Sequence, residues 1–300
     1  MRAGEDFYAK VAGWKAESWS QNPSYKLFVA RREPKAGLYL ITETVNAVPT
    51  PPGWLSYIGT PDVDATVRQA VELGGKVIVA AYNVPTVGRM AHLQDPQGAA
   101  FAVSSQEQRS RYKDPQLGDF SWHELLTSNW QTALDFYSKL FGWEKMQSMD
   151  MGPQGMYQIF GTGGHQLGGI FNPGALPGGP LWIPYVMVAD ARRTAESAKD
   201  NGATIAHGPS EVPGGDWVFT GIDPQGAMFA AHSKKRVAAP VTTKKDTSKT
   251  KDTSKATTKT KDTKAKGAKP ATKSAAGTKK KPVRSARLQA SRKKTANKRR

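Results

Sequence analysis

The sequence predicts an α+β fold in which one domain occurs twice, followed by an extension of quite different character. Three observations carry this reading. Long segments match one another at a nearly fixed offset, helical and strand patterns alternate in the same order in both segments, and composition changes abruptly near residue 234.

The change in composition divides the chain. Residues 234–300 hold 25 Lys and Arg against three acidic residues, Asp246, Asp252 and Asp262, and no Phe, Tyr or Trp. All 27 aromatic residues, eight of them Trp, lie before that point, where the net charge is −4. The overall +18 therefore belongs to the extension. Too little of the extension is apolar to offset the conformational entropy of folding, so it is expected to stay disordered. The chain has no cysteine, which removes disulfides, thiolate metal sites and cysteine nucleophiles. No apolar run approaches the ~18 residues of a membrane span, and the first residues lack the apolar core of a signal peptide. The expectation is a cytoplasmic protein.

The repeat is read by overlaying Trp54–Val77 on Trp182–Ile205. Trp54 and Trp182, Tyr57 and Tyr185, Asp62 and Asp190, and Gly74 and Gly202 pair at an offset of 128. The same offset pairs Val84-Pro85 with Val212-Pro213, and DPQGAAF at Asp95–Phe101 with DPQGAMF at Asp223–Phe229. Upstream, FYAKVAGW at Phe7–Trp14 matches FYSKLFGW at Phe136–Trp143 at 129. A fixed period reveals architecture more directly than propensity does. We divide the chain into a domain at 1–106, a linker at 107–117, a second domain at 118–233 and a basic tail at 234–300.

Within the second copy, 120–127 reads as a strand. Residues 130–142 form an amphipathic helix with Ala133, Phe136, Tyr137 and Leu140 on one face, stopped by Gly142. Strands are expected at 143–149, 156–161 and 166–171. The plan then repeats, with a strand at 182–188, a helix at 191–201 ended by Gly202, and strands at 204–207, 216–222 and 228–232. DPQG supplies the tight turn before the last strand, and Gly161–Gly164 is read as a hairpin rather than a phosphate cradle. Each copy is thus two βαβββ units. The first copy lacks residues for its opening strand. Of two explanations, a start set downstream of the true one or an open edge that a partner strand covers, the first is preferred.

These motifs resemble the vicinal-oxygen-chelate superfamily, which includes glyoxalase I, bleomycin-resistance proteins and extradiol dioxygenases. The likeness spans about residues 7–233 and rests on FY-x-K-x-x-GW, the Gly closing the second helix, VP before a hairpin and DP-x-G-A-x-F, each present twice. It implies that each pair of units curls into an open cup holding a metal or an apolar ligand. In the family, metal donors stand on first and last strands. The matching positions here are Trp122, Ile183 and Leu55, then Ala102 and Ala230, none of which coordinates a divalent cation. A divalent metal is therefore disfavoured as cofactor. If one is held, His232 and Glu124 are the expected donors.

Strand alternation places Glu124 with Trp122, Tyr185 and Met187 with Ile183, and His232 with Ala230. Glu124 and Tyr185 are the candidate catalytic pair, an acid–base group and a hydroxyl donor. Trp122, Trp182, Met187 and, in the first copy, Tyr57 are candidate ligand contacts. His123 is expected on the opposite face, and His92, His165 and His207 in hairpins or loops. Two uses of the cup stay open, lyase or dioxygenase-type chemistry and metal-free sequestration of an apolar or aromatic ligand.

The tail is similar in composition to linker-histone tails. Its lysines would release counterions from phosphates and so bind DNA or RNA without reading sequence. The candidate contacts are Lys279, Lys280, Lys281, Arg284, Arg287, Arg292, Lys293, Lys294, Arg299 and Arg300. This makes nucleoid association an expectation, and an alternative reading makes the tail the main element of a non-enzymatic scaffold. Monomer and homodimer are both compatible with the sequence.

Overall fold

The computed structural model of the protein describes residues 1–41, 51–105, 112–176 and 178–235. The tail residues singled out above lie outside these. Short polar residues set the helix starts. Asp62, Asn129 and Asp190 are the N-caps of α2 (Val63–Glu72), α3 (Trp130–Phe141) and α4 (Ala191–Asp200). Their side chains accept from Ala65 N, from Thr132 N, and from Arg192 N and Arg193 N, filling the orphan donors of a first turn. At the far end of α3, Gly142 closes the helix at φ 71°, where a Cβ would be strained. The first helix, α1 (Arg2–Val11), buries Phe7, Tyr8 and Val11.

The strands of the first repeat are β1 (Lys15–Trp19), β2 (Asn22–Ala30), β3 (Glu33–Leu38), β4 (Tyr57–Gly59), β5 (Lys76–Val84), β6 (Gly88–Gln94) and β7 (Ala100–Ser104). Those of the second are β8 (Phe120–Leu126), β9 (Glu144–Asp150), β10 (Met156–Thr162), β11 (His165–Phe171), β12 (Leu181–Met187), β13 (Thr204–Glu211), β14 (Trp217–Ile222) and β15 (Met228–Ser233). Residues 120–233 thus run βαβββ-βαβββ, as expected. Their eight strands make one sheet in the order β13-β14-β15-β12-β8-β11-β10-β9. The antiparallel pair β8 and β12 joins the two units, and β11 and β15 run parallel to their inner neighbours. The last unit departs from expectation at β13, which continues to Glu211 through two register shifts.

In the first repeat the sheet is split. Strands β1-β2-β3 form one sheet and β4-β7-β6-β5 another. Among the described residues no strand occupies the place that β8 takes between β11 and β12, so β3 and β4 keep open inner edges.

The two larger apolar cores among the described residues draw on both repeats. Val63, Leu93, Phe101 and Val103 pack with Phe136, Tyr137, Phe160 and Trp182. Phe7, Tyr8, Trp14 and Phe28 pack with Val186, Ala195, Phe219 and Phe229. Within each core runs a hydrogen-bonded relay. Trp182 Nε1 donates to Tyr137 Oη at 2.9 Å, and Tyr137 Oη donates to Asp95 Oδ2 at 3.1 Å. In the other core, Trp54 Nε1 donates to Tyr8 Oη and Tyr8 Oη to Asp223 Oδ2, both at 2.9 Å. The remaining oxygen of each aspartate accepts turn amides, from Gln97, Gly98 and Ala99 at Asp95 and from Gln225 and Ala227 at Asp223. Burial pushes the Asp95 carboxyl above its ordinary value, although these amides and the Tyr137 hydroxyl pull it back. The repeated Trp, Tyr and Asp of the sequence are thus one device used twice, and each copy of the device spans the two repeats.

Tyr137→Phe leaves Trp182 Nε1 without its acceptor and Asp95 Oδ2 without its donor. It should lower the unfolding free energy in urea by about 1–3 kcal/mol, the usual cost of an orphaned buried polar group, and Tyr8→Phe should do the same. An unchanged midpoint for both would show that the relays contribute nothing to stability.

Candidate functional site

The concave face of the second repeat's sheet bounds a cavity of 990 Å³. Its bottom is apolar: Ile183, Tyr185 and Ala230 are buried together, with Trp122, Leu126, Val218 and Met228 packed against them. Ile183 and Ala230, at family donor positions, therefore serve as packing. Glu124 rises from this floor. It is partly accessible from the cavity but lies deep among protein atoms. Tyr157 Oη donates to Glu124 Oε2 at 3.0 Å and Tyr185 Oη to Oε1 at 3.1 Å, while Trp122 Nε1 donates to Tyr157 Oη at 2.8 Å. Burial pushes the Glu124 carboxyl up against the opposing pull of the two phenols. It also pushes both tyrosine hydroxyls well up, with the Glu124 charge adding to the effect.

Tyr157 reaches Glu124 because of a glycine. A Cβ built on Gly169 would overlap the Tyr157 ring, so only glycine lets that ring lie flat on β11. On a neighbouring wall, Ser121 Oγ lies 2.9 Å from His232 Nδ1, and His232 Nε2 lies 2.9 Å from Asp216 Oδ2. Partial burial pushes Asp216 up, but the His232 ring, the Lys235 amide and the Lys234 charge outweigh it and hold the carboxyl below its ordinary value. One cavity thus contains two carboxyls whose surroundings drive them in opposite directions, an arrangement that separates acid from base roles.

The structure brings together Trp122, Glu124, Tyr185, Met187 and His232 from the sequence expectation. Trp182 is not with them. On β12 the side chains of Ile183, Tyr185 and Met187 face the cup, so alternation turns Trp182 to the other face, where it is 4% exposed in the core and holds Tyr137. Tyr57 belongs to the first repeat, where its hydroxyl and that of Tyr82 each lie 3.2 Å from His92 Nε2. His92 is accordingly a strand residue with two phenol partners and not a solitary hairpin side chain. His123 lies on the opposite face of β8 from Glu124, and burial lowers it to about 4. His165 and His207 stand on β11 and β13 and line the cavity.

Sequence reasoning missed three groups. Nothing marked Tyr157 beyond the Gly168-Gly169 pair that makes room for it. Ser121 has the parity of the back face, and Asp216 follows a Gly-Gly turn that reads as a plain hairpin. The linker also contributes: Tyr112 stacks on His165 with ring centroids 3.9 Å apart, and Asp114 and Pro115 line the cavity. Arg31 anchors this segment through the Leu117 carbonyl and, at 2.6 Å, the Asp119 carboxylate, which Lys35 also meets at 2.9 Å.

A divalent metal fits this wall poorly. Both oxygens of Glu124 accept phenol hydrogens, and both nitrogens of His232 are engaged. Among the described residues no three His, Asp or Glu side chains stand close enough to share an ion.

Residues 120–231 match the profile of the Glyoxalase/Bleomycin resistance protein/Dioxygenase superfamily. Over 246 residues the chain is 32% identical to "Putative glyoxylase CFP32" of Mycobacterium tuberculosis (strain CDC 1551 / Oshkosh), spanning 76% of this chain and 88% of that one. It is 28% identical over 253 residues to "Anthracycline biosynthesis protein DnrV" of Streptomyces peucetius, with 77% and 88% covered. Among solved structures, the fold is similar to the Mn(II)-bound glyoxalase from Novosphingobium aromaticivorans, with a TM-score of 0.51, 18% identity, and 78% of each chain covered. It is also similar to the 2,3-dioxygenase LapB from Pseudomonas sp. KL28, with a TM-score of 0.54, 13% identity, and 80% of this chain and 90% of that one covered.

Because the folded state holds the Glu124 proton more tightly than the unfolded chain does, this group's stabilising contribution is complete at acid pH. It is lost as pH rises through the folded value. Glu124→Gln removes that dependence. The variant should therefore gain unfolding free energy relative to the parent between pH 5 and pH 8 in urea titrations. A gap that is equal at both pH values would show that Glu124 titrates as it does in water.

Proposed function

Given that the chain belongs to the glyoxalase, bleomycin resistance protein and dioxygenase superfamily, we propose that residues 118–233 bind a planar aromatic small molecule carrying a carbonyl or phenolic oxygen. The observation that carries this reading is Glu124, a carboxyl held by two tyrosine hydroxyls at the bottom of an apolar, aromatic-walled cavity. Apolar walls supply affinity through burial, and a few convergent polar groups fix orientation. The cavity volume of 990 Å³ lies at the upper end of the about 300–1,000 Å³ common for small-molecule sites, room enough for fused rings. The Streptomyces peucetius relative is named for anthracycline biosynthesis, which supports a polycyclic quinone or phenol as the ligand class.

In this reading Glu124 in its carboxylate form accepts the proton or hydrogen bond of a ligand phenol. Trp122, Ile183, Met187 and Phe171 supply the apolar contact. For an enolisable ketone the same carboxylate would take the α-proton, and the Tyr157 and Tyr185 hydroxyls would stabilise the enolate oxygen. No step is routed through a metal, because the donors present do not fit one.

A titration with 1,8-dihydroxyanthraquinone, read by quenching of tryptophan fluorescence, tests this. Saturable binding is expected, weakened about tenfold or more, or ~1.4 kcal/mol, by Glu124→Gln and by Tyr185→Phe, while Tyr57→Phe leaves it unchanged. Affinity that is indifferent to both second-repeat substitutions would overturn the reading.

The composition of the tail favours a second, separable reading, in which residues 234–300 bind nucleic acid through 25 basic side chains set against three acidic ones. The clusters at Lys279–Lys281, at Arg292–Lys294 and at Arg299 and Arg300 are the densest. With a duplex of mixed sequence, affinity should fall linearly on a log–log plot against salt and disappear in a chain ending at Lys235, with anthraquinone binding retained. Duplex binding that survives the truncation would move the interface to the folded part.

A further inference from the structure

We propose that Ser121, His232 and Asp216 form a nucleophilic acyl-transfer triad on one wall of the second repeat's cavity, with small aryl esters as substrates. The reading shares the cavity proposed above for aromatic ligands but does not involve Glu124.

Strand alternation alone would turn Ser121 away from the cup. The register of β8 against β12 breaks at that point: Tyr185 pairs with Trp122 but Val186 with Phe120. Ser121 is the extra residue of a bulge, a device that re-aims side chains. In consequence Ser121 and Trp122, adjacent in sequence, both line the cavity.

The hydrogen-bond polarity then follows from chemistry. A carboxylate oxygen accepts, so in the 2.9 Å contact with Asp216 Oδ2 the His232 Nε2 is the donor and carries the proton. In the tautomer with its proton on Nε2, Nδ1 is the acceptor for the Ser121 hydroxyl at 2.9 Å. A competing acceptor, the Tyr185 carbonyl, is farther away at 3.3 Å. The Lys235 amide ties the other Asp216 oxygen at 2.8 Å and fixes the carboxylate. Nucleophile, base and orienting carboxylate are therefore linked in series. Such a trio is recognised by its roles and not by its order in the chain.

In the first step Ser121 Oγ bonds to the acyl carbon while its proton passes to His232 Nδ1. The tetrahedral adduct then breaks its bond to the aryl oxygen, which leaves as the phenol with the proton returned from Nδ1. Water, activated by the same nitrogen, cleaves the Ser121 ester and releases the carboxylic acid. Asp216 is a positioning residue, holding the tautomer that leaves Nδ1 free to accept.

The test is covalent labelling of the full-length chain with an alkyl fluorophosphonate. Ser121 Oγ would form the bond to phosphorus as the P–F bond breaks and fluoride departs. The adduct is located by peptide mass spectrometry, and the other serines serve as internal controls. Labelling should concentrate at Ser121, vanish in Ser121→Ala, and slow by about tenfold or more in His232→Gln and in Asp216→Asn. Asp216→Glu should restore part of the rate, which a purely structural role would not predict, and urea midpoints confirm that the variants fold. No label at Ser121, or a label indifferent to His232→Gln and Asp216→Asn, would overturn the proposal. Anthraquinone binding without Ser121 labelling would defeat the triad and leave the ligand site intact. Labelling without anthraquinone binding would do the reverse.

Discussion

Two buried aspartates that each repeat lends to the other hold the folded part together. A carboxylate taken out of water costs several kcal/mol unless donors replace the lost solvent. Here the Asp95 and Asp223 turns provide amides from their own repeat, but the last donor is the phenol of Tyr137 or Tyr8, from the opposite repeat. Without that phenol each aspartate would lie buried with one oxygen short of a partner. A tryptophan, Trp54 or Trp182, keeps that phenol oriented. This requirement makes the two apolar cores mixed and fixes the backs of the sheets together, and it leaves the concave face of the second sheet free for other work.

That division of labour between faces explains the chemistry of the cup. On β12, successive residues alternate between relay and cavity. Trp182 serves the core, Ile183 lines the floor, and Tyr185 holds Glu124. Since the back face is tied down by the relays, side chains on the front can be placed without having to stabilise the fold. Glu124 is an example, because its environment opposes ionisation and would be a liability in a group with no further task.

The fold was legible in the sequence because it is written twice. Matching Trp, Tyr, Asp and Gly positions located the units, and one repeated pair, Asp62 and Asp190, proves to cap two helices. Of the site, Trp122, Glu124, Tyr185, Met187 and His232 were legible through alternation. The same repetition misled at Trp182, whose recurrence marks a packing role that a duplicated core demands and not a ligand contact. Ser121 was hidden by a bulge, which breaks the period-two rule at the one position where it mattered. Tyr157 was hidden because its placement depends on a missing Cβ at Gly169, a signal carried by another strand. His92 looked solitary because its partners, Tyr57 and Tyr82, come from separate strands.

The segment between the repeats has a consequence for how such a chain can change over generations. Connectors ordinarily tolerate insertions and drift faster than the elements they join. Here Tyr112 stacks on His165, Asp114 and Pro115 form cavity wall, and Arg31 grips Leu117 and Asp119. Lengthening or shortening this stretch would redraw one side of the cup while leaving both cores untouched. A stretch usually free of selection thus becomes the place where the shape of the cavity can shift by small indels at little cost to folding.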